Sequence, residues 1–350
     1  GYAAGQEVTT GTNNTLIGGL AGDALTDADA NVAIGKSALS ADTLGSKSIA
    51  IGLGALQSQN FTTATDSFNT AVGHGVGASI TTATQNTLIG GEAGDALTTG
   101  GSNVALGYQA LTTDTLGSAS VAIGRNALIV QNFTTAQDSF NVAIGDRAAT
   151  SVTTGIQNTL LGGLAGDALT DADFNVAVGV GALGADTLGS QSVAIGNSAL
   201  GAQNFTTATN SLNIAVGFQA GAAVTTGQQN TIVGGQAGDA LTDADFNVVL
   251  GYQALTADTK GSRATALGYK ALFAQNFTTA TDSYNTAVGF EAGSSVNTGN
   301  QNTLIGGLAG NTITIGSDNI VIGYNADTAA STSNAIVMGT GVGTQGNNNF

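Results

Sequence analysis

Asn31-Val32-Ala33-Ile34-Gly35 is the stretch whose reading decides the fold. It returns with small changes from one end of the chain to the other. The closing glycine falls at Gly18, Gly35, Gly52, Gly73 and Gly90, at spacings of 17, 17, 21 and 17 residues. Four units sum to 72 residues, and that super-repeat runs from Gly18 through Gly90, Gly162 and Gly234 to Gly306. A fixed short period is the mark of a repeat architecture. Within the motif, Val32 and Ile34 flank a small Ala33, and the alternation repeats at Ile49/Ile51 and Val104/Leu106. Period-two alternation in β-branched residues predicts a short strand. Glycine at this density costs a helix interior about 1 kcal/mol per site.

Three residues after each motif glycine stands Ala in 18 of the 20 units, with Val76 and Val342 as the exceptions. A position that accepts nothing larger than Val is a packed interior position. The next residue is often Leu (Leu39, Leu56, Leu111, Leu128), where a second strand is expected to begin. Each unit therefore reads as one coil of an all-β parallel β-solenoid, or β-roll, of about 20 coils with a 17/17/17/21 repeat. The winding sense is left open, with a left-handed one among the options. Coils stacked about 4.8 Å apart would make a rod about 90 Å long. One continuous repeat region is expected over 1–340, and residues 341–350, rich in Gly and Asn, read as a tail or boundary. Gly1 is itself a motif glycine, so the chain is expected to be a piece of a longer protein.

The composition restricts function. Of 350 residues, 42% are hydrophobic, so the chain can build a core despite its 53 glycines. Net charge is −16 with only 7 Lys and Arg, which argues against nucleic acid and anionic membrane surfaces. No cysteine is present, so neither disulfides nor thiolate chemistry enter. No apolar run is long enough for a helical membrane span.

The middle residue of the motif is expected to face away from Val32 and Ile34. It is Ala33, Ala50, Ala71, Ala105, Ala122 and Ala143 in most coils, and Leu16, Leu88, Leu160, Ile232 and Leu304 once per 72 residues. Read as an outward stripe, this column predicts self-association along the rod, because soluble monomers rarely leave so long an apolar patch bare. The alternative is a monomer in which the inner and outer faces are the reverse of this assignment.

Asn-Val-Ala-Ile-Gly-x-x-Ala and Ser-Val-Ala-Ile-Gly-x-x-Ala resemble the head repeats of trimeric autotransporter adhesins. Leu106-Gly107-Tyr108-Gln109-Ala110-Leu111 and Leu250-Gly251-Tyr252-Gln253-Ala254-Leu255 are similar to the repeats of phage tail fibres. The resemblance covers nearly the whole chain, although coils of 17 and 21 are longer than the adhesin unit. It implies a homotrimeric, elongated fibre outside the cell, on a virion tail or a bacterial surface. Its segments act as shaft or head and hold a receptor-binding tip, absent from this chain, toward a host glycan or receptor.

Candidate chemistry is sparse. His74 is the single histidine and does not repeat, and the acids recur with the coils instead of converging on one cleft, so no enzyme is expected. No cofactor is implied. Gly18 to Asp29 distantly echoes a calcium-binding nonapeptide, and Asp27, Asp29, Asp171, Asp173, Asp243 and Asp245 are the candidate oxygen donors; solvated loop acids are the competing reading. The motif asparagines, with Ser48, Ser120 and Ser192 in register, are expected to form a structural ladder. The four extra residues of each long coil are expected to bulge outward at Phe61, Phe133, Phe205 and Phe277. Asn60-Phe61-Thr62 also fits the N-glycosylation acceptor pattern. The alternative function is a glycan- or surface-binding module acting through these outer loops.

Overall fold

The computed structural model describes residues 1–343. Among them all regular structure is β-strand. The backbone falls into two compact units, Gly1–Phe174 and Asn175–Phe350. Each is a parallel β-solenoid with one three-residue strand per coil. The first unit carries nine such strands, from Thr15–Ile17 to Thr159–Leu161, and the second carries ten, from Val176–Val178 to Ile336–Met338. Residues 344–350 of the expected tail lie outside the described residues. Gly343 still bridges to Asp327 in the coil before it.

Register is kept residue by residue. Val32, Ala33 and Ile34 pair with Ile49, Ala50 and Ile51, and the 21-residue coil keeps the same register, Ala50 opposite Ala71. The extra residues are therefore absorbed in the loop. Backbone hydrogen bonding continues around the corners: Gly22 N–H donates to Ala38 O at 2.9 Å and Leu39 N–H to Ala55 O at 3.0 Å. The turns are thus as firmly stacked as the strands.

The motif glycines owe their identity to this stacking. Gly107 sits at φ +142°, and a Cβ on it would stand 2.5 Å from the carbonyl oxygen of Gly124 in the next coil. No side chain fits there, and few residues other than glycine adopt that backbone.

Two expectations are corrected. The second strand does not begin at Leu39, Leu56, Leu111 or Leu128. Those leucines occupy left-handed corners (φ 53°, 50°, 54° and 50°) and turn fully inward. Among the described residues the second strands are shorter and occur only in each 21-residue coil and the coil before it, as in Gly45–Ser46 paired with Thr65–Asp66. The middle column is also inverted. Ala33, Ala50, Ala71, Ala105, Ala122, Ala143, Leu88, Ile232 and Leu304 have no solvent exposure, Leu160 is 1% exposed, and Leu16 is half-buried. They fill the inside of their own coil, and so do not form a seam between chains. Val32, Ile34 and their equivalents flank that column and point outward, while the inner position itself accepts β-branched side chains, as Ile232 and Val249 show.

In several coils a large middle residue goes with small corners and a small one with a large corner. Where the middle residue is Ala (Ala33, Ala50), the corner four residues past the motif glycine is Leu (Leu39, Leu56). Where it is Leu88, the corners around it are Gly77 and Gly94, whose Cβ atoms would stand 2.9 and 3.0 Å from the Leu88 methyls.

Candidate functional site

The inner wall of the coil carries a hydrogen-bond ladder. Asn31 Nδ2 donates to Gly45 O at 2.9 Å, and its Oδ1 accepts from Ser48 N–H at 2.8 Å in the next coil. The pattern recurs at Asn86 and Asn103. The ladder is structural, as the sequence predicts, and it lies wholly inside.

Beside it lies a polar cluster that sequence reasoning missed. Asp42 is fully buried. Its Oδ1 accepts from Gly45 N–H and Phe61 N–H, both at 3.0 Å, and its Oδ2 accepts from Gln59 Nε2 at 2.6 Å. Gln59 Nε2 also donates to Ser48 Oγ, and Gln59 Oε1 accepts from Asn69 Nδ2 at 2.9 Å. The cluster returns around Asp114, Asp186 and Asp258, though Ala264 replaces the serine in the last. The signal was available: Asp three residues before Gly45 and Gln 17 after it recur every 72 residues.

This cluster explains why the bulge residues do not reach solvent. Phe61, Phe133 and Phe277 are 6% exposed and Phe205 is 5%. Held by its backbone N–H to Asp42, Phe61 folds back over Gly45, where an added Cβ would meet its ring at 2.7 Å. The expected outer aromatics are therefore inner ones. The exposed side chains of the long coils include Phe68, Phe140, Leu212 and Tyr284, at a left-handed corner five residues before the motif glycine.

The acids proposed for calcium do not converge. They lie in pairs on three separate coils, and all but Asp243 accept from the coil before. Thr10 Oγ1 donates to Asp27, Thr12 N–H to Asp29 at 2.6 Å, Thr154 Oγ1 to Asp171 at 2.5 Å, Ile156 N–H to Asp173 at 2.7 Å, and Gln228 N–H to Asp245 at 2.7 Å. Asp243 accepts from Lys260 Nζ at 3.4 Å. Among the described residues no three acidic, His or Cys side chains gather to hold a metal ion. The hydrogen bond from Thr12 N–H, with one from its hydroxyl, lowers the Asp29 pKa. Burial raises those of Asp167 and Asp173. Arg125, paired with Asp146 at 2.8 Å, lowers that carboxyl.

What each unit does present is a flat outward strand face. Two columns of side chains, one residue before and three residues before each motif glycine, point away from the coil: Val121 and Ile123, Val142 and Ile144, Val193 and Ile195, Ile214 and Val216. With nine or ten strands about 4.8 Å apart and each about 10 Å long, the face of one unit covers roughly 450 Å². Exposed aromatic residues border it. On one edge, in the second unit, Tyr252, Tyr269 and Phe290 stand in successive coils with ring centroids 5.9 and 5.2 Å apart. On the other edge, Arg263 lies between Phe246 and Tyr284, at 4.7 and 5.9 Å from their ring centres.

No family model, no curated protein and no solved structure matches this chain.

Proposed function

We infer that the chain is a structural shaft or head segment of a homotrimeric fibre outside the cell, on a virion tail or a bacterial surface. Its work is to be long and stiff and to carry a receptor-binding tip. The observation that supports this reading is the outward strand face. A patch of roughly 450 Å² per unit, made mainly of Val, Ile and Leu side chains with Thr70, Thr87, Thr159 and other threonines interspersed in one column, has the size at which exposed apolar surface on a soluble protein marks an interaction site. Because neighbouring coils offer the same side chains at the same spacing, a second copy of the chain is a matching surface for it. The seam between chains runs along Val121, Ile123, Val142 and Ile144 and their equivalents, not along the alanines. The reading involves no catalytic step, cofactor, nucleic acid or membrane insertion.

Sedimentation equilibrium tests it. The expected mass is three times the 34.1 kDa of one chain. Lys at Val121 and Val193, both outward, should return the protein to a single chain without loss of strand signal. A monomer at micromolar concentration in the parent protein would remove the fibre reading.

A second reading, a module that binds surface glycans directly through its loops, draws on the exposed Phe68, Phe140 and Tyr284. Retention of the protein on glycan-coated beads, abolished by alanine at these three positions, is its test.

A further inference from the structure

One column of the surface is the residue directly after each motif glycine. In the second unit, from Gly217 to Gly323, it reads Phe218, Gly235, Tyr252, Tyr269, Phe290, Gly307, Tyr324 over successive coils. Where aromatic residues follow one another, they stack. Where glycine interrupts, the next aromatic has no ring from the adjoining coil on that side. A Cβ on Gly235 would stand 3.4 Å from the Tyr252 ring, and one on Gly307 would stand 3.4 Å from Tyr324. Each tyrosine therefore lies over a floor of glycine backbone, with a phenylalanine on the far side. The four wall residues are well exposed: Phe218 54%, Tyr252 49%, Phe290 54% and Tyr324 61%.

The dimensions of this notch select its occupant. Phe218 and Tyr252 spring from coils two steps apart, about 9.6 Å. A flat ring between two aromatic walls needs about 3.5–4.0 Å on each side. One ring fits and two do not. The rim decides which ring. Around Gly235 the adjoining column is Gln219, Gln236 and Gln253, with Gln253 Nε2 donating to Gln236 Oε1 at 3.1 Å. Each amide offers both donors and an acceptor. Apolar C–H faces inside and hydroxyls at the rim are the surface of a pyranose ring. A purely aromatic ligand would leave the three amides without use, and an anionic sugar would meet a chain of net charge −16.

We propose that the two glycine-floored notches, Phe218–Gly235–Tyr252 and Phe290–Gly307–Tyr324, are binding sites for single residues of a neutral hexopyranose chain. The first is the stronger, because the second is rimmed by Glu291, Leu308 and Asn325. The notches lie beside the outward strand face, so the proposal does not depend on trimer formation.

The test is calorimetric titration of the intact chain with maltohexaose and with cellohexaose, followed in parallel by tyrosine fluorescence, which no tryptophan obscures. Saturable millimolar-range binding to at least one of the two is expected. Gly235→Phe should weaken it about tenfold, by continuing the stack and closing the stronger notch. Phe218→Ala, at an exposed site, should weaken it similarly by removing one wall. Gly235 lies outside the left-handed region, and three successive rings already stack in the three coils that follow it, so Gly235→Phe should melt no lower than the parent. Absence of saturable heat with both oligomers, or undiminished binding by the Gly235→Phe, Gly307→Phe double variant, overturns the proposal. Sedimentation of the same samples separates that failure from failure of the trimer.

Discussion

At the scale of single residues, the fold rests on positions where only one side chain fits. Gly107 is one. Gly107→Ala forces a Cβ into the backbone of the next coil and strains φ, which together should cost roughly 3–5 kcal/mol, measured as a fall in the urea midpoint. Asp114 is another. Its oxygens accept from Gly117 N–H, Phe133 N–H and Gln131 Nε2. Asp114→Ala leaves these donors buried without a partner and should cost about 2–4 kcal/mol by the same assay. Surface acids act differently. Asp146 has its pKa lowered from the ordinary 3.8 by Arg125, so its contribution is present above that pH and is lost as pH falls through its folded value. Asp167 has its pKa raised by burial, so stability falls as pH rises through the window just above 3.8. Asp146→Asn should flatten the acid limb of the stability profile, by little at its exposed site, and Asp167→Asn the limb above it. Denaturant midpoints from pH 2 to 6 check both. The glycines and asparagines were legible in the sequence, since each recurs without substitution by anything bulky. The carboxylate cluster was not, because its members lie 10 to 19 residues apart and meet only when coils stack.

At the scale of the strand and its corners, the alternation was legible but its direction was not. Val-Ala-Ile says that one face differs from the other. Which face is inside depends on the diameter of the coil, a property of all 17 residues together. The corner leucines were misplaced for a related reason. Leu is a poor candidate for a left-handed conformation, which costs it roughly 1–2 kcal/mol, and burial inside the coil outweighs that cost. The exchange between Leu88 and its glycine corners yields a prediction. Leu88→Ala should cost about 2–5 kcal/mol by opening a cavity. Adding Gly94→Leu should recover part of the loss, because Leu at that corner is what accompanies Ala in other coils. Thermal melts of the single and double variants decide it.

At the scale of the whole molecule, charge and surface act against each other. In the proposed trimer, chains of net charge −16 would repel while their strand faces attract. Raising salt from about 0.01 to 0.15 M shortens the Debye length from about 30 to 8 Å and should tighten self-association, read as a lower dissociation constant by sedimentation. The long apolar surface was legible as an expectation and was assigned to the wrong column. The notches were hidden because a glycine there looks like one more turn residue. Only the structure places a ring on each side of it.

Strict register through the long coils also bears on how such a chain can change. Within each unit the motif residues come back above their counterparts after 72 residues, so the junctions at the two ends of a block are alike. Excising residues 91–162 joins Gly90 to Gly163, just as Gly162 now precedes it, and leaves each remaining residue with equivalent neighbours. Length is then a quantity that recombination between blocks sets freely, in whole multiples, with no new packing to be solved.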